Sequence, residues 1–249
     1  MQVTYISDPT PGGVNDDFVI AGERFVVVLD GATQLSASGC IHGVPWLVAR
    51  LGTQLATSLA TEPDTSLTAI LGGAIDRVCA MHADTCDLSN PDSPSSTVAL
   101  LRHSGETVDY LILCDSPMAI ETTDGKVQAV TDDATSYLPG YKPDDLRLTR
   151  NQPGGFWVAS TKPEAAEHAV IGSVPAAEVR RVALMTDGMS RLVERYGWSW
   201  SRLMDVVEND GAAAAVRAVR DAERDTTPGT FRGKQYDDAT IVLCREFGS

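Results

Sequence analysis

The chain has 249 residues, with 34 acidic against 20 basic side chains and a formal net charge of −14 at pH 7. Its length can bury a substantial core in one large domain or two small ones, and a 43% hydrophobic, 22% charged composition is ordinary for a globular protein. The acidic balance argues against nucleic acid and anionic membrane surfaces as partners, and it suits a phosphorylated substrate only where metal ions reverse the sign locally.

The opening MQVTYISDPT lacks the basic and apolar regions of a secretory signal, and no apolar run approaches a membrane span, so a cytoplasmic location is expected. Val3 and Tyr5 alternate as in a short strand. Phe18–Ala21 and Arg24–Leu29 read as a hairpin around Gly22-Glu23, with glycine at the first central position of a type II′ turn. Pairing Ala21 with Arg24 sets Asn15 opposite Asp30 and Asp16 opposite Leu29. Val44, Leu47, Val48, Leu51, Leu55 and Leu59 then share one helical face, and Leu67, Ile70, Leu71, Ala74 and Val78 share another.

Strands resume at Thr97–Leu101, Val108–Cys114, Ala119–Thr122 and Val127–Val130. Residues 131–155, rich in Asp, Pro and Gly, read as a loop or flap. Phe156–Ala159 and Val179–Thr186 are further strand candidates, Met189–Tyr196, Ser201–Val207 and Ala212–Arg224 are helix candidates, and Ala239–Cys244 closes the chain as a strand. Strands joined by short turns, grouped around helix pairs, predict an α+β layered fold in one domain spanning 1–249.

Aspartates recur at the mouths of these strands. VVVLD ends at Asp30, YLILCD at Asp115 and ALMTD at Asp187, while Asp237-Asp238 opens the last strand and Asp16-Asp17 leads into the first hairpin. Antiparallel neighbours bring the end of one strand beside the start of the next, so these acids gather on one rim. Carboxylates so gathered repel one another unless a cation intervenes, and all-oxygen ligation favours Mg²⁺ or Mn²⁺. Aspartate also caps turns for purely local reasons, as Asp124-Gly125 is expected to do between two short strands.

In order and spacing these motifs resemble the metal-dependent protein phosphatases of the PPM group, or type 2C, in their bacterial form. Asn15-Asp16-Asp17 resembles the family's Asn-Glu-Asp, Asp30-Gly31 its strand-terminal Asp-Gly, and Ser95-Ser96-Thr97 its Gly-Ser-Thr. Cys114-Asp115-Ser116 resembles Gly-Asp-Ser, Thr186-Asp187-Gly188 resembles Ser-Asp-Gly, and Asp237-Asp238 resembles the closing Asp-Asn. The resemblance implies a four-layer α-β-β-α sandwich, two antiparallel sheets packed face to face and flanked by helix pairs.

It also implies a two-metal phosphomonoester hydrolysis in which a bridging water attacks phosphorus in line. Asp30 would bridge two Mn²⁺ or Mg²⁺ ions, with the Gly31 carbonyl on one and Asp187 and Asp237 on the other. Asp16 or Asp17 would hold metal-bound water, Asp17 serving with Asp30 in catalysis, and Asp115 would contribute to a third, weaker metal site.

The chain departs from the family at Asp16, where Glu is usual and the shorter side chain reaches less far, and in two further places. Asp30-Gly31-Ala32-Thr33-Gln34 stands where Asp-Gly-His-Gly-Gly or Asp-Gly-Met-Gly-Gly is common, and Gly12 stands where a phosphate-binding Arg is usual. Phosphate capture must then come from elsewhere. His42, between Asp30 and the first long helix, is the candidate general acid, with helix capping as the alternative; Thr33 and Gln34 either bond a phosphoryl group or close a turn. Surface roles are expected for His82, His103 and His168. The cysteines at 40, 79, 86, 114 and 244 form no Cys-X-X-Cys pair, so neither zinc nor a disulfide framework is expected.

The leading reading is a phosphatase acting on phosphoserine or phosphothreonine in proteins. The same chemistry on a small phosphorylated metabolite is a second reading, and a catalytically weak binding module a third. Retention of Asp30, Asp187 and Asp237 argues against the third. Oligomeric state is not legible in the sequence.

Overall fold

A computed structural model of the chain describes residues 1–32, 38–138 and 143–247. Its strands are β1 (Gln2–Asp8), β2 (Phe18–Ala21), β3 (Phe25–Leu29), β4 (Gly31–Ala32), β5 (Ser95–Ser96), β6 (Val98–His103), β7 (Thr107–Leu113), β8 (Met118–Thr122), β9 (Val127–Val130), β10 (Val170–Pro175), β11 (Val179–Met185) and β12 (Ala239–Arg245). Its helices are α1 (Val44–Thr61), α2 (Leu67–His82), α3 (Pro143–Thr149), α4 (Asp187–Glu194), α5 (Trp200–Asn209) and α6 (Ala212–Asp225).

The strands form two five-stranded antiparallel sheets, ordered β1-β12-β11-β8-β9 and β10-β7-β6-β3-β2, with β4 and β5 as a separate two-stranded ribbon. Alternation along each strand sends one set of side chains between the sheets and the other outward. Val26, Val28, Ala99, Leu101 and Ile112 of one sheet thus pack against Met118, Ile120, Val182, Leu184 and Val242 of the other. The outer set, Val27, Leu29, Leu100 and Leu111, is covered by the leucine stripe of α1 and by α2. On the opposite side Ala183, Met185, Ile241 and Leu243 are covered by α4, α5 and α6. Each fully buried leucine, isoleucine or valine contributes about 1.5–3 kcal/mol relative to exposure. The result is the expected α-β-β-α sandwich.

Helix starts follow local chemistry. The Ser66 hydroxyl accepts from Ala69 N at 3.2 Å and the Ser199 hydroxyl from Arg202 N at 3.1 Å, caps worth about 1 kcal/mol each. Pro45 in the first turn of α1 sacrifices only an N–H that has no helical partner.

Several expectations need correction. The hairpin pairs Ala21 with Val26 and Phe18 with Leu29, a shift of two residues from the expected register. Gly22 N donates to Phe25 O at 2.9 Å, so the turn centres on Glu23-Arg24 and Gly22 lies outside it. A two-residue shift keeps every side chain on its face but changes its partner. Continued by one residue, the observed register sets Asp17, not Asn15, against Asp30.

Residues 131–155, expected as loop, include a 3₁₀ turn at Ala134–Tyr137 and α3, where Leu146 packs towards Phe156. Phe156–Ala159 makes only isolated bridges, Phe156 to Arg150 and Ala159 to Ser96, rather than a strand. β10, an edge strand with exposed Val170 and Ile171, is additional to the expected set.

Candidate metal centre

Five segments far apart in sequence place their acids together. β3 ends at Leu29, so Asp30 leaves its sheet where β4 begins. Its backbone is pinned by the Ser95-Ser96-Thr97 motif: Ser96 Oγ donates to Asp30 O at 2.9 Å, Thr97 N donates to the same oxygen at 2.9 Å, and Asp30 N donates to Thr97 Oγ1 at 3.3 Å. Asp187 opens α4, where the helix N-terminus favours negative charge, and its N–H donates to Asp30 Oδ2 at 3.4 Å. Asp115 follows Cys114, a non-glycine residue at φ 68° where the family has glycine. That left-handed position costs about 1–3 kcal/mol and is held by the Cys114 N–H on Asp132 Oδ2 at 2.9 Å.

Both Asp-Gly pairs have a steric reason. A Cβ at Gly31 would strike the Asp16 carbonyl and the Val44 side chain, and a Cβ at Gly188 would strike the Asp238 carbonyl. Glycine is therefore required because other acid-bearing segments press against it.

Within each acidic pair the structure separates the roles. Asp17 is buried; its Oδ2 accepts from Thr186 Oγ1 at 2.9 Å and Thr240 Oγ1 at 2.7 Å, while its Oδ1 is buried with no hydrogen-bond partner. Asp16 stays partly exposed and uses its N–H on Asp238 Oδ2 at 2.7 Å. Asp238 also accepts from Thr10 N at 2.6 Å, so its carboxylate ties the 10–16 segment to the last strand. Asp237 instead faces the cavity. Its Oδ2 accepts from Arg191 Nη2 at 2.6 Å, and Lys234 Nζ lies 3.3 Å from its Oδ1. Arg191 is anchored behind by fully buried Glu223 at 2.9 Å, which Arg220 also meets at 2.8 Å.

Asp30, Gly31, Asp115, Asp187 and Asp237 line one cavity of about 300 Å³. Burial, and after it the charge of Asp17 and then of Asp187, Asp115 and Asp237, pushes the Asp30 carboxyl well above the usual range. Asp187 is pushed up to about 7 by burial and by Asp237. Asp17 is likewise pushed up to about 7 by burial, against the two threonine hydroxyls, which favour its charged form. Burial also raises Asp115 and, together with Asp238, Asp16. Protein groups alone leave this set short of positive charge.

The same cavity is lined by Arg150, Arg191, Arg195 and Lys234. Sequence reasoning missed these cations, although Asp187, Arg191 and Arg195 fall at i, i+4 and i+8 along α4 and its C-cap, and Lys234 precedes Asp237 by three. His42 is not among the lining residues. Its Nδ1 lies 3.7 Å from Cys40 Sγ and 3.4 Å from Cys86 Sγ, and its ring stacks on Trp46 at 4.0 Å. The expected acid role therefore lacks geometric support. Thr33 and Gln34 lie outside the described residues. His82 and His103 are buried rather than on the surface.

The model of the protein phosphatase 2C family matches residues 12–220, a span that takes in every acidic motif but the last. The chain belongs to the protein phosphatase 2C family. Membership places it among the metal-dependent phosphoric monoester hydrolases. The fold agrees with solved members. The phosphatase MsPP of Mycobacterium smegmatis, crystallised with cacodylate, is 18% identical, with 98% of this chain and 97% of that chain covered and a TM-score of 0.61. The catalytic domain of the serine/threonine phosphatase PstP, in complex with two manganese ions, is 19% identical over 97% and 96%, with a TM-score of 0.61. Stp1 of Staphylococcus aureus is 12% identical over 99% and 95%, with a TM-score of 0.68. No curated protein matches the chain in sequence. Among the described residues no helix is long and apolar enough to cross a membrane.

Proposed function

We propose that this type 2C phosphatase hydrolyses phosphoserine and phosphothreonine in proteins, using Mn²⁺ or Mg²⁺ held at the acidic rim. The observation that carries the reading is the set of buried carboxylates, Asp17, Asp30, Asp115 and Asp187, all pushed towards protonation with Asp237 beside them. The buried, unpartnered Oδ1 of Asp17 and the all-oxygen donor set fit a hard divalent cation. The two manganese ions of PstP support a count of two.

In this reading Asp30, the Gly31 carbonyl, Asp187 and Asp237 would hold the ions. Asp115 serves a weaker third position. Such ions supply Lewis acidity, activating water and neutralising phosphoryl oxygens. Asp17, fixed by Thr186 and Thr240, orients what binds beside Asp30, while Asp16 acts mainly through its backbone next to Gly31. Arg191 fixes Asp237. Arg150, Arg195 and Lys234, which line the cavity, take over the anion-binding role for which Gly12 has no side chain. The full-length pairing of β1 with β12, at opposite ends of the chain, supports a single domain.

The test is hydrolysis of a phosphoserine and phosphothreonine peptide panel against small phosphorylated metabolites, with Mn²⁺ or Mg²⁺. Higher kcat/KM on peptides supports the protein substrate. Turnover of metabolites alone would move the same chemistry to the second class.

A further inference from the structure

Outside the acidic cavity's lining, four soft-ligand side chains converge. Cys40 and His42 precede α1, while His82 ends α2 and Cys86 follows it. Their donor atoms all lie within 4.8 Å of one another. Cys40 Sγ is 3.7 Å from His42 Nδ1 and 3.6 Å from His82 Nδ1, and Cys86 Sγ is 3.4 Å from His42 Nδ1. The two sulfurs are 3.1 Å apart.

Donors about 2.0–2.3 Å from a common centre at tetrahedral angles stand about 3.3–3.8 Å apart. The sulfur–nitrogen distances already match. The sulfur pair, 3.1 Å apart, must spread by roughly 0.7 Å. The expectation of no zinc rested on the lack of a Cys-X-X-Cys pair; the four side chains here fall instead in Cys-X-His and His-X-X-X-Cys.

We propose that Cys40, His42, His82 and Cys86 bind one Zn²⁺ as a structural Cys₂His₂ site, separate from the catalytic metals. The local fold is arranged for it. The Thr85 and Cys86 N–H groups donate to His82 O at 3.1 and 3.0 Å, turning the chain so that Cys86 comes back over His82. Trp46 stacks on His42 and lies 5.0 Å from the His82 ring, giving the site an apolar wall. His82 is buried and the other ligands half-buried, which leaves a path for entry. Zinc binding displaces the thiol protons to solvent, and both histidines bind as neutral rings. Thiolate and imidazole select zinc over Mg²⁺ or Mn²⁺, whereas the acidic rim has the opposite preference.

The position gives the ion a purpose. The segment after β4 and the segment before β5 are the two that meet here, and β4 pairs Gly31 with Ser96 at the edge of the acidic centre. Asp87 N to Gly39 O at 2.9 Å is the backbone bond between those segments near the cluster. A zinc ion would close the same junction and steady the ribbon that carries Gly31. A Cys40–Cys86 disulfide is the competing fate of the close sulfurs, but it gives no reason for two imidazole nitrogens to converge on them.

The test is elemental analysis of the full chain purified with a reductant and without chelator, followed by Co²⁺ substitution. One zinc per chain is expected, with a thiolate-to-cobalt charge-transfer band and a tetrahedral visible band after exchange. Both signals should vanish in Cys40→Ser and Cys86→Ser and persist in Cys79→Ser and Asp30→Asn. If the serine variants fail to fold, the wild-type cobalt spectrum still decides. Reduced wild-type protein without zinc and without the sulfur bands overturns the proposal. So do bands that survive both serine substitutions, or a Cys40–Cys86 disulfide recovered from protein purified with reductant.

Discussion

The N–H of Asp187 donates to Oδ2 of Asp30 at 3.4 Å, joining the ends of strands from two different sheets across 157 residues of sequence. Through this contact the two Asp-Gly motifs share one site.

Asp17 is positioned by two hydroxyls. Thr240→Val should leave the fold intact, since valine is nearly isosteric, but lower Mn²⁺ affinity or turnover by about 10–100-fold, as loss of a partner behind a metal ligand generally does. Calorimetric titration with Mn²⁺ checks it. Unchanged affinity and turnover would remove Asp17 from the metal centre.

Arg191 joins buried Glu223 to Asp237. Arg191→Met leaves buried Glu223 with Arg220 as its partner and should cost about 1–3 kcal/mol in denaturant unfolding, with weaker metal binding besides. Glu223→Gln added to Arg191→Met should recover part of the stability and none of the metal affinity, because Asp237 remains unheld.

Lys234 and Arg195 face the cavity without the fully buried pairing of Arg191. Lys234→Ala and Arg195→Ala should each raise KM for a phosphopeptide about tenfold, the equivalent of about 1.4 kcal/mol, with a smaller change in kcat. Steady-state kinetics at saturating Mn²⁺ reads the split. An unchanged KM in both variants would return the question of phosphate capture to other residues.

In metal-free protein the raised carboxyls predict a pH dependence of stability. Burial pushes Asp17 and Asp187 up to about 7 in the fold, well above the usual carboxylate value they regain on unfolding. The folded state therefore binds more protons between those values, so stability falls as pH rises towards 7 and levels off above it. With chelator the melting temperature should drop from pH 5 to pH 7, and saturating Mn²⁺ should reduce or reverse the drop. A rise with pH in chelator would contradict the buried, uncompensated charge.

His42→Ala should lower turnover on poor and good leaving groups equally, since His42 stands with Cys40, His82 and Cys86. A selective loss on the poor leaving group would restore it as the acid.

The sheets and covering helices were legible because Val26–Leu29 and Ile241–Leu243 are short unbroken apolar runs, as strands covered on both faces require, and the α1 leucine stripe has a period of 3.6. The acids were legible because each ends or begins such a strand. The hairpin was misread by two residues because Gly22 invited a type II′ turn, whereas Glu23-Arg24 forms the turn and neither residue has positive φ. α3 and Arg150 were missed because their placement depends on tertiary packing of a polar, Pro-rich stretch, and Arg191, Arg195 and Lys234 because their spacing to Asp187 and Asp237 was not followed. The Cys/His cluster was missed because its halves lie on either side of a helix pair, at spacings that no local motif announces.

The most direct measurement is Mn²⁺ binding by calorimetry together with turnover of p-nitrophenyl phosphate, for wild type and Asp30→Asn. Wild-type protein should bind Mn²⁺ and turn over only with metal, and Asp30→Asn should lose at least the bridged ion and nearly all activity while melting no lower in chelator. Wild-type protein that neither binds Mn²⁺ nor hydrolyses the ester, or an Asp30→Asn variant as active as wild type, would contradict a metal-dependent hydrolase built on Asp30.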